Sequence, residues 1–146
     1  MGESYKTTIL VVDDQSSMRR VIEQHLRAAG YSAIYQAESG EEALERLGRM
    51  KMDLVILDWT MPGMSGIDVL REIRSNEAWK NTKVMMVTAE GLKENVIAAV
   101  QAGANSYVVK PFTQATLLGK IEDALPLRRG AVNKRPPPGF MGSLRD

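Results

Sequence analysis

Hydrophobic residues recur along the chain in two alternating spacings. Short, nearly continuous apolar runs occur at Thr8–Val12, Ala33–Ala37, Leu54–Leu57, Val84–Val87 and Tyr107–Val109. Between them the apolar residues return every three or four positions, some as adjacent pairs. The first such set is Met18, Val21, Ile22, Leu26 and Ala29, ahead of Gly30; the second is Ala43, Leu44 and Leu47. Ile67, Leu70 and Ile73 follow within Ser65–Arg74, then Leu92–Ala102 ahead of Gly103, then Leu117, Leu118, Ile121 and Leu125 ahead of Pro126. The first spacing belongs to strands and the second to one face of a helix. Ser39 with Glu42 forms a capping box at a helix start, while Gly30, Gly103 and Pro126 are stop signals. The pattern therefore predicts five β–α units in succession.

Strands whose apolar residues run on without alternation are covered on both faces. This predicts an α/β fold with a parallel sheet between two layers of helices. Open sheets of this kind bind ligands outside the carboxyl ends of their strands. The residues leaving those ends are Asp13 and Asp14 after the first run, Asp58 after the third, Thr88 after the fourth, and Lys110-Pro111 after the fifth.

Three carboxylates gathered at one edge raise one another's pKa. A hard divalent cation relieves that repulsion, and Mg²⁺ takes one or two carboxylates while keeping positions for water and phosphate oxygens. Lys110 adds a point positive charge for a phosphoryl oxygen, and Thr88 adds a hydroxyl donor. The set fits Mg²⁺-assisted phosphoryl transfer with one carboxylate as nucleophile. Each residue alone has a plainer reading: Asp13-Asp14 as a helix cap, Asp58 as the start of a turn before Pro62-Gly63, Lys110 and Thr88 as surface and strand-end groups. Their shared position at one end of different strands favours the chemical reading. Trp59, next to Asp58, is a candidate reporter of ion binding. His25 reads as a solvated flank of its helix without chemical duty.

The chain has 146 residues, enough for one domain. Hydrophobic residues are 44% and charged residues 25% of the total, a globular profile. With no cysteine and a single histidine, thiol catalysis, disulfide scaffolds and multi-histidine metal sites are excluded. No apolar run approaches the ~18 residues of a membrane span, and Met1–Lys6 lacks the apolar core of a signal peptide, so a cytoplasmic location is expected. The net charge of +1 is unevenly spread. Leu127–Asp146 holds Arg128, Arg129, Lys134, Arg135 and Arg145 against Asp146 alone, which leaves the body acidic. An acidic body argues against direct nucleic-acid binding, which needs a basic folded face. With Pro136-Pro137-Pro138 and no period, 127–146 reads as a disordered basic tail or linker after a domain spanning 6–126.

Four motifs carry a family resemblance. They are Ile9-Leu10-Val11-Val12-Asp13-Asp14, Asp58-Trp59-Thr60-Met61-Pro62-Gly63-Met64-Ser65-Gly66, Val87-Thr88-Ala89-Glu90, and the run from Gly103 to Phe112 that contains Tyr107 and Lys110-Pro111. In this order and spacing the sequence from about Lys6 to Leu125 resembles the receiver domain of two-component response regulators, and within it the single-domain chemotaxis branch. The resemblance implies a flavodoxin-like three-layer sandwich with strand order 2-1-3-4-5. It implies Asp58 as acceptor of a phosphoryl group from a histidine kinase or phosphotransfer protein. Asp13, Asp14, Asp58 and the Thr60 backbone carbonyl would hold Mg²⁺, with Mn²⁺ able to substitute. Thr88 and Lys110 would grip phosphoryl oxygens, and Tyr107 would swing inward as Thr88 moves. Thr60 and Glu90 would tune the phosphoryl lifetime, and the Lys110–Pro111 bond would be cis. A target protein would bind the face made by the fourth helix, fifth strand and fifth helix, and a monomer is expected.

Thr116–Leu127 lacks the arginine-rich pattern of receivers that dimerise to drive a winged-helix DNA-binding domain. A stand-alone phosphoacceptor module and a receiver fragment of a longer regulator both remain open. A metal-dependent aspartyl phosphatase is the reading from another class, disfavoured because Thr60 stands where such enzymes carry a second Asp. A flavin carrier is disfavoured because Asp13-Asp14 stands where a phosphate loop would follow the first strand.

Overall fold

The computed structural model describes residues 6–89 and 91–125. Its elements run β1 (Thr8–Val12), α1 (Ser16–Ala28), β2 (Ala33–Ala37), α2 (Gly40–Arg49), β3 (Leu54–Asp58), α3 (Gly66–Ser75), β4 (Lys83–Thr88), α4 (Lys93–Gln101), β5 (Ser106–Val109) and α5 (Gln114–Ala124). A short 3-10 turn, Glu77–Trp79, precedes β4; three residues are too few to leave a period in the sequence. The proposed tail and Glu90 lie outside the described residues.

All strands are parallel, in the order β2-β1-β3-β4-β5. The alternation of side chains along each strand divides the core in two. One half joins Leu10, Val55, Leu57 and Met86 to Leu47 of α2, Leu70 and Ile73 of α3, and Ala99 of α4. The other joins Ile9, Val11, Ile56 and Met85 to Ile22 and Leu26 of α1 and to Leu117 and Ile121 of α5. Helices thus cover both faces, which is why the strands read as unbroken apolar runs.

Local chemistry fixes where helices begin. The Ser39, Ser65 and Thr113 hydroxyls accept from the backbone N–H groups of Glu42, Asp68 and Thr116 at 3.1, 3.3 and 3.1 Å, satisfying donors that a helix start leaves open. Helix α4 is closed by Gly103 at φ 107°, a conformation glycine adopts without penalty.

Candidate functional site

The strand order brings β1 and β3 side by side at the point where the chain reverses its direction of growth across the sheet, the position at which such sheets form a crevice. Register then sets the side chains. Val12 pairs with Leu57, so Asp13 follows abreast of Asp58, the last residue of β3. Asp58 pairs with Val87, so Thr88 lies one step beyond it on β4. Thr88 pairs with Val109, so Lys110 lies one step beyond that, its N–H donating to the Thr88 carbonyl at 2.7 Å. The predicted residues therefore leave successive strands like a staircase toward one edge.

Asp13 and Asp58 are buried, at 1% and 5% exposure, whereas Asp14 is open to solvent. One oxygen from each of the three carboxylates lies within 4.8 Å of the others. Lys110 Nζ stands between the buried pair, 3.4 Å from Asp13 Oδ2 and 3.3 Å from Asp58 Oδ1. The second Asp13 oxygen accepts from the Gln15 N–H at 2.9 Å. Burial, and then the Asp13 charge, raise the Asp58 carboxyl to about 6 from its ordinary 3.8, with Lys110 opposing the shift and Asp14 adding to it. One ammonium does not neutralise three acids. A cluster of hard carboxylate oxygens with one member facing water fits a divalent ion such as Mg²⁺, which keeps part of its water shell.

The other expected residues fall around this edge. Thr88 is buried at the end of β4, and Thr60 is exposed in the β3–α3 loop. Tyr107, on the strand next to Thr88, is buried in the half of the core shared with α2, α3 and α4. The Lys110–Pro111 bond is cis. Trp59 is half-buried, with its backbone N–H donating to the Val87 carbonyl at 2.9 Å. His25 is half-buried on the flank of α1: Nδ1 shares a 3.0 Å hydrogen bond with Gln114 Oε1, and the ring meets Phe112 edge-on, tying α1 to the start of α5. Arg19 was invisible as a site residue in the sequence, yet its guanidinium reaches the Asp13 carbonyl at 2.6 Å. The available signal was its place on α1, one turn beyond Gln15.

Residues 9–122 match the response regulator receiver domain family, and the chain belongs to that family. Among its relatives, chemotaxis protein CheY-3 of Vibrio cholerae is 48% identical over 114 residues, spanning 78% of this chain and 88% of that protein. CheY of Pseudomonas aeruginosa is 49% identical over 114 residues, covering 78% and 92%. Among solved structures, V. cholerae CheY4 superposes with a TM-score of 0.76 at 33% identity, covering 82% and 98%. A CheX–CheY–BeF3–Mg complex from Borrelia burgdorferi gives 0.75 at 32% identity, covering 80% and 87%. The chain is a CheY-like receiver domain, consistent with two-component signalling. Among the described residues no helix is long and apolar enough to cross a membrane.

Proposed function

We propose that this protein is a phosphorylation-activated response regulator whose phosphoacceptor is Asp58. The observation that carries the reading is the buried Asp58 carboxylate at the end of β3, raised to about 6, held 3.3 Å from Lys110 Nζ and flanked by Asp13 and Asp14. An Asp58 oxygen attacks the phosphorus of a kinase phosphohistidine; the O–P bond forms as the P–N bond breaks, and the imidazole leaves with the electron pair and takes up a proton. Lys110 and the Thr88 hydroxyl bind the transferred oxygens. Asp13, Asp14, Asp58 and the Thr60 carbonyl are the groups to hold Mg²⁺, which supplies charge neutralisation between the acids and the incoming phosphoryl group. The chain is then no turnover enzyme but an acceptor that assists its own modification and hydrolysis, with the exposed Thr60 beside Asp58 tuning the access of water.

Modification draws Thr88 toward the phosphoryl oxygens and thereby changes the packing of Tyr107 on the next strand. The output surface is the α4–β5–α5 face, where Leu92, Ile97, Val100 and Val109 are exposed, a grouping of apolar side chains suited to a protein target. A cytoplasmic sensor kinase or phosphotransfer protein upstream completes the pathway.

Incubation with Mg²⁺ and a small acyl-phosphate donor, followed by intact mass, tests the chemistry. The wild-type protein is expected to gain one phosphoryl group and Asp58→Asn none. No gain in the wild type, or an equal gain in both, contradicts the reading.

A further inference from the structure

The carbonyl of Asp13, one residue past the end of β1, is reached by a side chain of α1. Arg19 Nη1 donates to it at 2.6 Å, and Arg19 Nε donates to Gln36 Oε1 on β2 at 2.8 Å. The chain of bonds continues: Gln36 Nε2 donates to Glu23 Oε1 at 2.6 Å, and Arg27 Nε donates to Glu23 Oε2 at 2.8 Å. The Arg27 hydrogen bond holds the Glu23 carboxyl below its ordinary value, so it remains an acceptor. Arg19 is half-buried and spans two elements with two nitrogens of one planar fork, a geometry a single ammonium does not reproduce.

The gripped carbonyl belongs to the peptide joining Asp13 to Asp14. Because that peptide is planar, holding its oxygen also sets the plane from which the Asp14 backbone departs. The Asp13 side chain is fixed separately, through Gln15 N–H and Lys110. The peptide between two of the three clustered acids is therefore held by Arg19 from outside the cluster.

We propose that Arg19 is a positioning residue for the divalent-cation site: it fixes the Asp13–Asp14 peptide, and Gln36, Glu23 and Arg27 brace it. This rests on the Mg²⁺ reading of Asp13, Asp14 and Asp58. Coulomb's law alone gives Arg19 the opposite effect. A cation beside the acids repels a metal ion, so its removal as a mere charge tightens binding. A purely structural role alters unfolding and leaves metal affinity alone. A positioning role loosens binding although a repulsive charge has gone.

The experiment is calorimetric titration of Mg²⁺ into the full chain as wild type, Arg19→Ala, Arg19→Lys and Gln36→Ala, with urea unfolding of each without metal and the Asp13 carbonyl ¹³C shift as a spectroscopic readout. The dissociation constant is expected to rise roughly tenfold in Arg19→Ala, the scale typical of lost outer-shell support. Arg19→Lys should show a similar rise despite its retained charge, and Gln36→Ala a smaller one. The ¹³C shift should move in both Arg19 variants. Affinity that is unchanged or tighter in folded Arg19→Lys and Gln36→Ala overturns the proposal, and these two decide it if Arg19→Ala unfolds. Wild-type protein that takes up no Mg²⁺ overturns the metal reading and this inference together, whereas wild-type affinity in the variants overturns this inference alone.

Discussion

At the scale of single residues, the site is built on a carboxylate that the fold holds at a cost. Asp58 is almost fully buried beside Asp13, and its carboxyl is raised to about 6 from 3.8. Between those two values the native state holds more protons than the unfolded chain, so stability falls as pH rises through this window and the penalty is complete above it. Replacing the charge with a neutral amide of the same shape should therefore stabilise the metal-free protein. Asp58→Asn is expected to gain on the order of 1–3 kcal/mol near pH 7.5, with the gain shrinking toward nothing below pH 4. Urea midpoints of both proteins without metal, at several pH values, check this; identical midpoints near pH 7.5 count against a strained carboxylate. The acids, Thr88 and Lys110 were legible in the sequence because each directly ends an apolar run. Arg19 and Gln36 were not, because a polar residue on a helix or edge strand looks the same whether it meets water or a backbone carbonyl.

Helix α3 shows how an element, rather than a residue, places Asp58. Its first residue, Gly66, donates its N–H to the Trp59 carbonyl at 2.7 Å. A Cβ at this position would run into the Asp58 carbonyl oxygen and lie 2.8 Å from Trp59 Cα. The helix can abut the end of β3 only because position 66 has no side chain. Gly66→Ala should push the β3 end and the helix apart, costing about 1–3 kcal/mol by overpacking and slowing Asp58 phosphorylation at least several-fold. Denaturant unfolding with timed phosphorylation checks both, and wild-type values for the two contradict the packing argument. The elements themselves were legible from spacing, down to Ser39 as a cap, with ends misplaced by a residue or so. Strand β4 runs from Lys83 to Thr88 rather than Val84 to Val87, and β5 begins at Ser106. Such ends are set by ladder partners, as where Lys83 N–H donates to the Asp53 carbonyl at 3.0 Å, and no local pattern encodes a partner 30 residues away.

The whole molecule turns on strand order. Five apolar runs are interchangeable by composition, so periodicity predicted a parallel sheet without ordering it; the order came from family resemblance and matches β2-β1-β3-β4-β5. That order puts the acids on neighbouring strands and also sets Thr88 beside the strand carrying Tyr107, the route by which the proposed switch would reach the exposed apolar residues of α4 and β5. Saturation with beryllofluoride and Mg²⁺ should therefore shift backbone amide resonances of α4 and β5 as well as those beside Asp58. Shifts confined to the acid cluster contradict the coupling. The most direct test of the central claim is the position of the phosphoryl group itself. Borohydride reduction of the phosphorylated protein converts an aspartyl phosphate into homoserine, which peptide mass spectrometry locates. Homoserine at position 58 alone is the predicted result; homoserine at position 13 or 14, or none in protein that carries a phosphoryl group, contradicts it.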